Sequence, residues 1–308
     1  VTRVAAIDCG TNSIRLLVAD LGADLDGAEP RDVVRRMEIV RLGEGVDATG
    51  ELSAAALART RAALGDYAAQ IRALGAQRVR MVATSATRDA ANAAEFTGMV
   101  RDTLGVPPEV ISGDEEAHLS FAGAVAGLPP SAAPPYLVVD IGGGSTEFVY
   151  GVAAPQVARS VDIGCVRMTE RHLPGDPPTP AQVAAATVDI EAWVDEALRA
   201  VGGRDAGTLI GLAGSVTTVT ALALGLPAYD PEAIHHARIS AVDVATVTAG
   251  LLGMTRAERA ALPVMHPGRA DVIGAGALIL RIVMDRARAP SVLASERDIL
   301  DGIALSLG

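Results

Sequence analysis

The segment Ile7-Asp8-Cys9-Gly10-Thr11-Asn12-Ser13-Ile14-Arg15-Leu16 returns in altered form as Val139-Asp140-Ile141-Gly142-Gly143-Gly144-Ser145-Thr146-Glu147-Phe148, at an offset of 140 − 8 = 132 residues. Asp, Gly and Ser keep the same register, so the chain reads as two related halves. In each copy an apolar strand ends in Asp, a turn of Gly and small polar residues follows, and a second β-prone run begins (Leu16-Leu17-Val18; Phe148-Val149-Tyr150). The pattern is that of a β-hairpin whose tip presents backbone N–H groups and hydroxyls. Such a tip suits phosphate, because several N–H groups can converge on an anion with no side chain in the way. An Asp beside the tip can hold a divalent cation, which favours hard oxygen ligands and offsets phosphate charge. Two facing copies would enclose one phosphate-metal site between two lobes.

With 308 residues, half of them apolar, the chain is long enough for two packed domains. No uninterrupted apolar run approaches about 18 residues, so no transmembrane helix is expected. The apolar start is broken by Asp8, and no signal peptide is readable. Cys9 and Cys165 are too few and too far apart for a disulfide framework or a zinc site, which points to a reducing cytoplasm. The net charge of −11 argues against bulk attraction to nucleic acid or an anionic membrane, and 3% aromatics leave no stacking platform for bases. A polyanionic substrate must therefore be captured locally, by Arg and metal. All 26 basic residues are Arg, which removes the phosphate-binding lysine of Walker-type loops, Schiff-base chemistry and any lysine general base.

The first half alternates strand and helix signals: strands near 3–8, 14–20 and 39–42, a helix over 53–74 with Ser53 as N-cap and Gly75 as stop, a strand at 78–83, a helix over 90–104 and a strand at 109–111. Alternation of this kind gives an α/β layered domain. Pro129, Pro130, Pro134 and Pro135 mark a break. The second half then offers a strand over 136–140, the second hairpin, a helix over 180–201 and a strand over 208–212. That strand leads into Ala213-Gly214-Ser215-Val216-Thr217-Thr218 and a helix, a junction open to two readings: an anion or nucleotide site, or small residues kept for packing. Residues from Pro267 open a helix to about 288, and residues from Ser295 open the last one.

Three further groups can carry chemistry. Glu147 lies two residues past Ser145 and can point back toward the loop on the Asp140 side. In Ser112-Gly113-Asp114-Glu115-Glu116-Ala117 the carboxylates open a helix, either as partners of its dipole or with one Glu as a base that orients water. Arg88, in Ala83-Thr84-Ser85-Ala86-Thr87-Arg88-Asp89, either forks on phosphate oxygens or pairs with a surface carboxylate. The five histidines fall in no metal-ligand spacing, and Cys9 reads as a small buried residue.

Taken in order, these motifs (Asp8 to Ser13 with Arg15-Leu16, Ala83 to Asp89, Ser112 to Ala117, Val139 to Glu147, Leu212 to Thr218) resemble those of the exopolyphosphatase and guanosine pentaphosphate phosphohydrolase family, within the actin, Hsp70 and sugar-kinase superfamily. The likeness is strongest to the short actinobacterial exopolyphosphatases. The resemblance implies an α/β fold of two ribonuclease-H-like lobes, residues 1–128 completed by a last helix at about 295–308, and residues 129–294, with the active site in the cleft. It implies magnesium dependence, with manganese as a substitute, and removal of a terminal phosphate from inorganic polyphosphate or from the 5′ end of guanosine pentaphosphate. A homodimer is common among relatives.

By the same resemblance, Glu116 is the base that orients water, with Glu115 as the less favoured neighbour, and Arg88 clamps a phosphate. Asp140 and Glu147 hold magnesium, with Asp8 contributing directly or through water. Gly10, Thr11, Asn12 and Ser13, and Gly142, Gly143, Gly144 and Ser145, cradle phosphates; Arg15 and Arg269 match positions used toward a guanosine-polyphosphate ligand. The sequence stops at residue 308, without the added C-terminal helical domains of longer members, so short polyphosphate is the expected substrate. A kinase of the same superfamily and a non-catalytic sensor of guanosine tetraphosphate are the competing readings. The Glu pair and Arg88 weigh against the first, and the full carboxylate set against the second.

Overall fold

In the computed structural model, which describes residues 1–22 and 30–308, the chain forms two compact units, Val1–Gly127 with Asp298–Gly308, and Leu128–Arg297. The first unit is built on β1 (Thr2–Cys9), β2 (Ser13–Leu21), β3 (Arg31–Ile39), β4 (Arg78–Ala83) and β5 (Glu109–Val110), in the order β3-β2-β1-β4-β5. The first three strands form an antiparallel meander, and β4 and β5 run parallel to β1.

Strands β1 and β2 are near-continuous apolar runs because both sheet faces are covered. Alternation sorts their residues into two cores. Ala5, Ile7, Ile14, Leu16 and Val18 pack with Leu64, Tyr67 and Phe96 from the helices Ala54–Leu74 and Ala93–Leu104. Val4, Ala6, Leu17 and Ala19 pack with Leu119, Ile299, Leu300 and Ile303 from the helices Gly113–Val125 and Ile299–Leu305. The last two helices touch so closely that a Cβ on Gly302 would stand 2.0 Å from the Leu119 carbonyl oxygen.

The sequence places a strand at 39–42, whereas β3 ends at Ile39. This edge strand carries Arg31, Asp32, Arg35, Arg36 and Glu38, charges that mask its β pattern, and the apolar Val40 and Leu42 are buried in the loop beyond it. The helix expected over 90–104 is Ala93–Leu104, and a separate short helix, Ser85–Asp89, precedes it.

The second unit contains β6 (Tyr136–Ile141), β7 (Thr146–Gly151), β8 (Pro155–Val161), β9 (Thr208–Leu212), β10 (Arg238–Ser240) and β11 (Ser291–Ala294), in the order β10-β11-β9-β6-β7-β8. Read inward from β8, the series β8-β7-β6-β9-β11 repeats the order and strand directions of the first unit, and β10 adds an antiparallel edge. Each unit is thus an α/β, ribonuclease-H-like lobe, and the repeated loop sits at the same place in both, between the first and second strands. The helix Pro180–Val201 begins with a capping box between Thr179 and Gln182. The helix Ile273–Ala287 is buried on nearly every side, which its all-round apolar sequence demands. Among the described residues, no helix is long and apolar enough to cross a membrane.

Candidate active site

In the second unit, the loop between β6 and β7 is closed by Gly142 N–H donating to the Ser145 carbonyl at 3.0 Å. The antiparallel register sets Asp140 directly opposite Glu147, which puts both side chains on one face of the sheet. They are 7% and 1% exposed. Ser160, opposite Glu147 on β8, donates its hydroxyl to Glu147 Oε1 at 2.8 Å. A row Asp140–Glu147–Ser160 therefore crosses three strands beside the glycine turn.

The turn is gripped from one side by the helix Cys165–His172. Cys165 N–H donates to the Gly142 carbonyl at 2.9 Å, and Val166 and Arg167 N–H donate to the Gly143 carbonyl at 2.9 and 3.1 Å. Arg167 Nε donates to the Gly144 carbonyl at 2.7 Å. Gly164 allows this approach, because a Cβ there would lie 2.3 Å from the Gly143 oxygen.

The first loop has the same closure, Gly10 N–H to the Ser13 carbonyl at 3.0 Å, and its carbonyls are also tied from one side. Val40 and Arg41 N–H donate to the Asn12 carbonyl at 3.1 and 2.8 Å, and Gly43 N–H to the Thr11 carbonyl at 2.8 Å. Thr11 Oγ1 lies 2.9 Å from Ser85 Oγ. The electrostatics differ from those of the second loop. Asp8 faces Arg15 across the β1–β2 pair and accepts from its Nε and Nη2 at 2.9 and 2.7 Å. Arg15 Nη1 also donates to Asp298, the N-cap of the last helix. Burial pushes the Asp8 carboxyl up, and Arg15 offsets only part of that rise. Burial likewise pushes the Cys9 thiol up, which keeps it protonated rather than nucleophilic.

Still in the first unit, the helix Gly113–Val125 is capped by Ser112, whose hydroxyl accepts from Glu115 N–H at 3.2 Å. Successive residues on a helix point about 100° apart, and the two glutamates separate accordingly. The Glu115 side chain is 47% exposed and meets Arg80 Nη2 at 2.8 Å, together with Glu109. Glu116 is 8% exposed and receives Arg88 Nη1 at 3.3 Å; the same nitrogen donates to the Ile111 carbonyl at 2.9 Å. Arg88 is thus brought to Glu116, and Glu115 is taken elsewhere.

Arg269, in the second unit, donates to Thr218 Oγ1 at 2.8 Å and lies over the start of the helix Ala213–Ala223, where a Cβ on Gly214 would meet its Nη2 at 2.1 Å. The Gly214 junction therefore serves as the seat of Arg269. Tyr229 Oη stands 2.7 Å from Thr217 Oγ1 and 2.6 Å from Glu296 Oε1, and burial and Glu296 push its phenol up.

Among the described residues, no group of three or more His, Cys, Asp or Glu side chains is arranged to hold a metal ion. A magnesium ion does not need such a cage: it binds through one or two carboxylates and keeps water and phosphate oxygens as its other ligands. Asp140 and Glu147, both buried and facing each other beside a phosphate-type turn, fit that requirement. Asp8 fits it less well, since Arg15 already supplies a positive partner.

Sequence reasoning did not single out Ser160, Arg167 or Asp298. Ser160 lies on a strand with no readable alternation and Arg167 on a helix that was not anticipated. Asp298 could have been found, because Asp298-Ile299-Leu300-Asp301 has the spacing of a capping box.

A model of the Ppx/GppA phosphatase family matches residues 18–307. The sequence is 54% identical over a 315-residue alignment to a Mycobacterium tuberculosis protein named Exopolyphosphatase 2, covering 99% of this chain and 98% of that one. A crystal structure of an exopolyphosphatase-like protein superposes with a TM-score of 0.94 at 45% identity, over 100% of this chain and 98% of the other. The crystal structure of an exopolyphosphatase from Cytophaga hutchinsonii gives a TM-score of 0.87 at 26% identity, over 99% and 97% of the two chains.

Proposed function

The chain belongs to the Ppx/GppA phosphatase family, and from that premise we propose that it is an exopolyphosphatase, removing orthophosphate from the end of inorganic polyphosphate. The observation that carries this reading is the buried Asp140–Glu147 pair set in register beside a turn of three glycines. Together they offer a cation site and a phosphate cradle on one hairpin.

Bound there, a magnesium ion would neutralise charge on the phosphate oxygens. The chain's own groups do the rest. The glycine turns hold phosphate oxygens through N–H groups, a role for which lysine is not needed. Glu116 orients a water and takes its proton as the water oxygen bonds to the terminal phosphorus. The phosphoanhydride P–O bond breaks as that bond forms, and the shortened chain leaves with the bonding electrons. Arg88 holds the Glu116 carboxylate in place and presents a guanidinium edge suited to phosphate oxygens. Because phosphoryl transfer asks chiefly for positioning and charge stabilisation, this set is sufficient. Two buried free cysteines suit a reducing compartment, and we place the protein in the cytoplasm.

The test is phosphate release by the purified protein with Mg²⁺ from short polyphosphate, long polyphosphate and guanosine pentaphosphate in parallel. Preference for short polyphosphate is the expected result. Preference for the nucleotide would make it a guanosine pentaphosphate 5′-phosphohydrolase. Binding without release would overturn the hydrolase reading.

A further inference from the structure

The three carbonyls of the glycine turn in the second unit all bond toward the helix Cys165–His172: Gly142 to Cys165 N–H, Gly143 to Val166 and Arg167 N–H, and Gly144 to Arg167 Nε. In a planar trans peptide the C=O of one residue and the N–H of the next point in opposite directions. Fixing these carbonyls therefore turns the N–H groups of Gly143, Gly144 and Ser145 away from the helix, as a row aimed to the other side. Successive N–H groups aimed together make an anion-binding concavity.

The three ties are not equivalent. Those to Gly142 and Gly143 come from main-chain N–H groups, which nearly any residue at 165–167 would supply. The tie to Gly144 comes from a side chain, at 2.7 Å, the shortest of the set. The first loop does the same work with backbone donors, from Val40, Arg41 and Gly43. Of the two loops, it is the second in which a side chain sets the direction of an N–H.

We propose that Arg167 is a positioning residue for the reaction: by holding the Gly144 carbonyl it aims the Ser145 N–H at the phosphate carried by this loop. The inference rests on the reading of the loop as a phosphate cradle. Arg167 acts through the peptide plane, so its loss disturbs one N–H far more than its neighbours.

The experiment follows the backbone amide signals of Gly143, Gly144 and Ser145 by NMR during titration with inorganic phosphate, in the full-length wild-type protein, Arg167→Met and Arg167→Lys. In the wild type all three amides shift on binding. In Arg167→Met the Ser145 response is lost while that of Gly143 persists, KM for short polyphosphate rises about tenfold, as expected for a weakened hydrogen bond to an anion, and kcat changes less. Arg167→Lys, which keeps an N–H donor, restores part of the Ser145 response and remains informative should the Met variant fold poorly. Equal shifts in wild type and both variants would overturn the role of Arg167 and leave the cradle standing. Uniform weakening of all three amides would also overturn it, because that marks a distant charge rather than an aimed N–H. If phosphate moves none of the three in the wild type, the cradle itself is wrong.

Discussion

Arg15 and Glu147 occupy the same place in the two copies of the loop: 15 − 8 = 7 and 147 − 140 = 7 residues after the strand-end Asp, and directly opposite it in register. One copy thus carries an Asp–Arg pair and the other an Asp–Glu pair. The first pairs opposite charges within the protein. The second gathers two buried carboxylates, an arrangement that a bound cation relieves. The two loops therefore differ in charge beside the turn, and a cation site is proposed in the second alone.

Metal dependence should therefore follow the second loop. Asp140→Asn and Glu147→Gln are each expected to raise the Mg²⁺ concentration for half-maximal activity by at least about 100-fold, and Ser160→Ala, which removes the hydroxyl donor at Glu147 Oε1, by about tenfold. Direct Mn²⁺ binding, followed by electron paramagnetic resonance, should weaken in the same order. Unchanged Mn²⁺ affinity in Glu147→Gln would place the metal elsewhere.

Arg15 should behave as a structural ion in its own unit. It bridges Asp8 and Asp298, both of them buried, and Asp298 also caps the last helix. Arg15→Met takes the shared guanidinium from two buried carboxylates, a change that costs about 3 kcal/mol or more in comparable buried pairs. Denaturant unfolding should show this loss, and the double variant Arg15→Met with Asp298→Asn, in which Asn still caps the helix, should recover part of it. A loss below about 0.5 kcal/mol, the level of an ordinary surface change, would mean that the network is only a surface contact.

The repeat was legible because phosphate loops demand particular atoms at fixed spacing: small residues in the turn, Asp at the strand end, Ser at its close. Helix starts at Ser53 and Ser112 were legible for a similar reason, since a hydroxyl before a helix has a local job that the sequence displays. What escaped was whatever depends on partners distant in sequence. Strand β8 has no alternating pattern, because it is an edge strand whose outer residues, Gln156, Val157 and Arg159, face solvent. Its Ser160 gains meaning only through register with Glu147. The different settings of Glu115 and Glu116 were likewise hidden in the residues themselves, and only the family resemblance favoured Glu116, since those settings are decided by Arg80 and Arg88, dozens of residues upstream.

Acid stability should report Asp20. Hydrogen bonds from Arg3 and Arg31 hold its carboxyl down at about 2 in the folded protein, against about 3.9 in an unfolded chain. A depressed pKa stabilises the fold above the unfolded value and loses that contribution as pH falls through the folded one. The stability gap between wild type and Asp20→Asn should therefore be constant above about pH 5, shrink below about pH 4 and level off near pH 2. Denaturant titrations across that range read it directly, and a gap independent of pH would show that Asp20 is not held as a carboxylate.

The proposed base is Glu116 rather than Glu115. Glu116 is buried and held by Arg88, a setting that fixes a carboxylate for proton transfer; Glu115 is half exposed and shared with Glu109 on Arg80. Glu116→Gln keeps shape and one acceptor oxygen but cannot take a proton from water, so kcat should fall by about 10²–10⁴-fold while binding of short polyphosphate stays close to wild type. Glu115→Gln should lose less than about threefold in kcat, since an exposed pair contributes little. Arg88→Met should lower kcat and also raise KM, because the same guanidinium orders Glu116 and is the proposed phosphate clamp. The three variants, measured for kcat, KM and binding, separate the roles: a wild-type rate in Glu116→Gln would remove it as the base, and a collapse in Glu115→Gln would transfer the role to its neighbour.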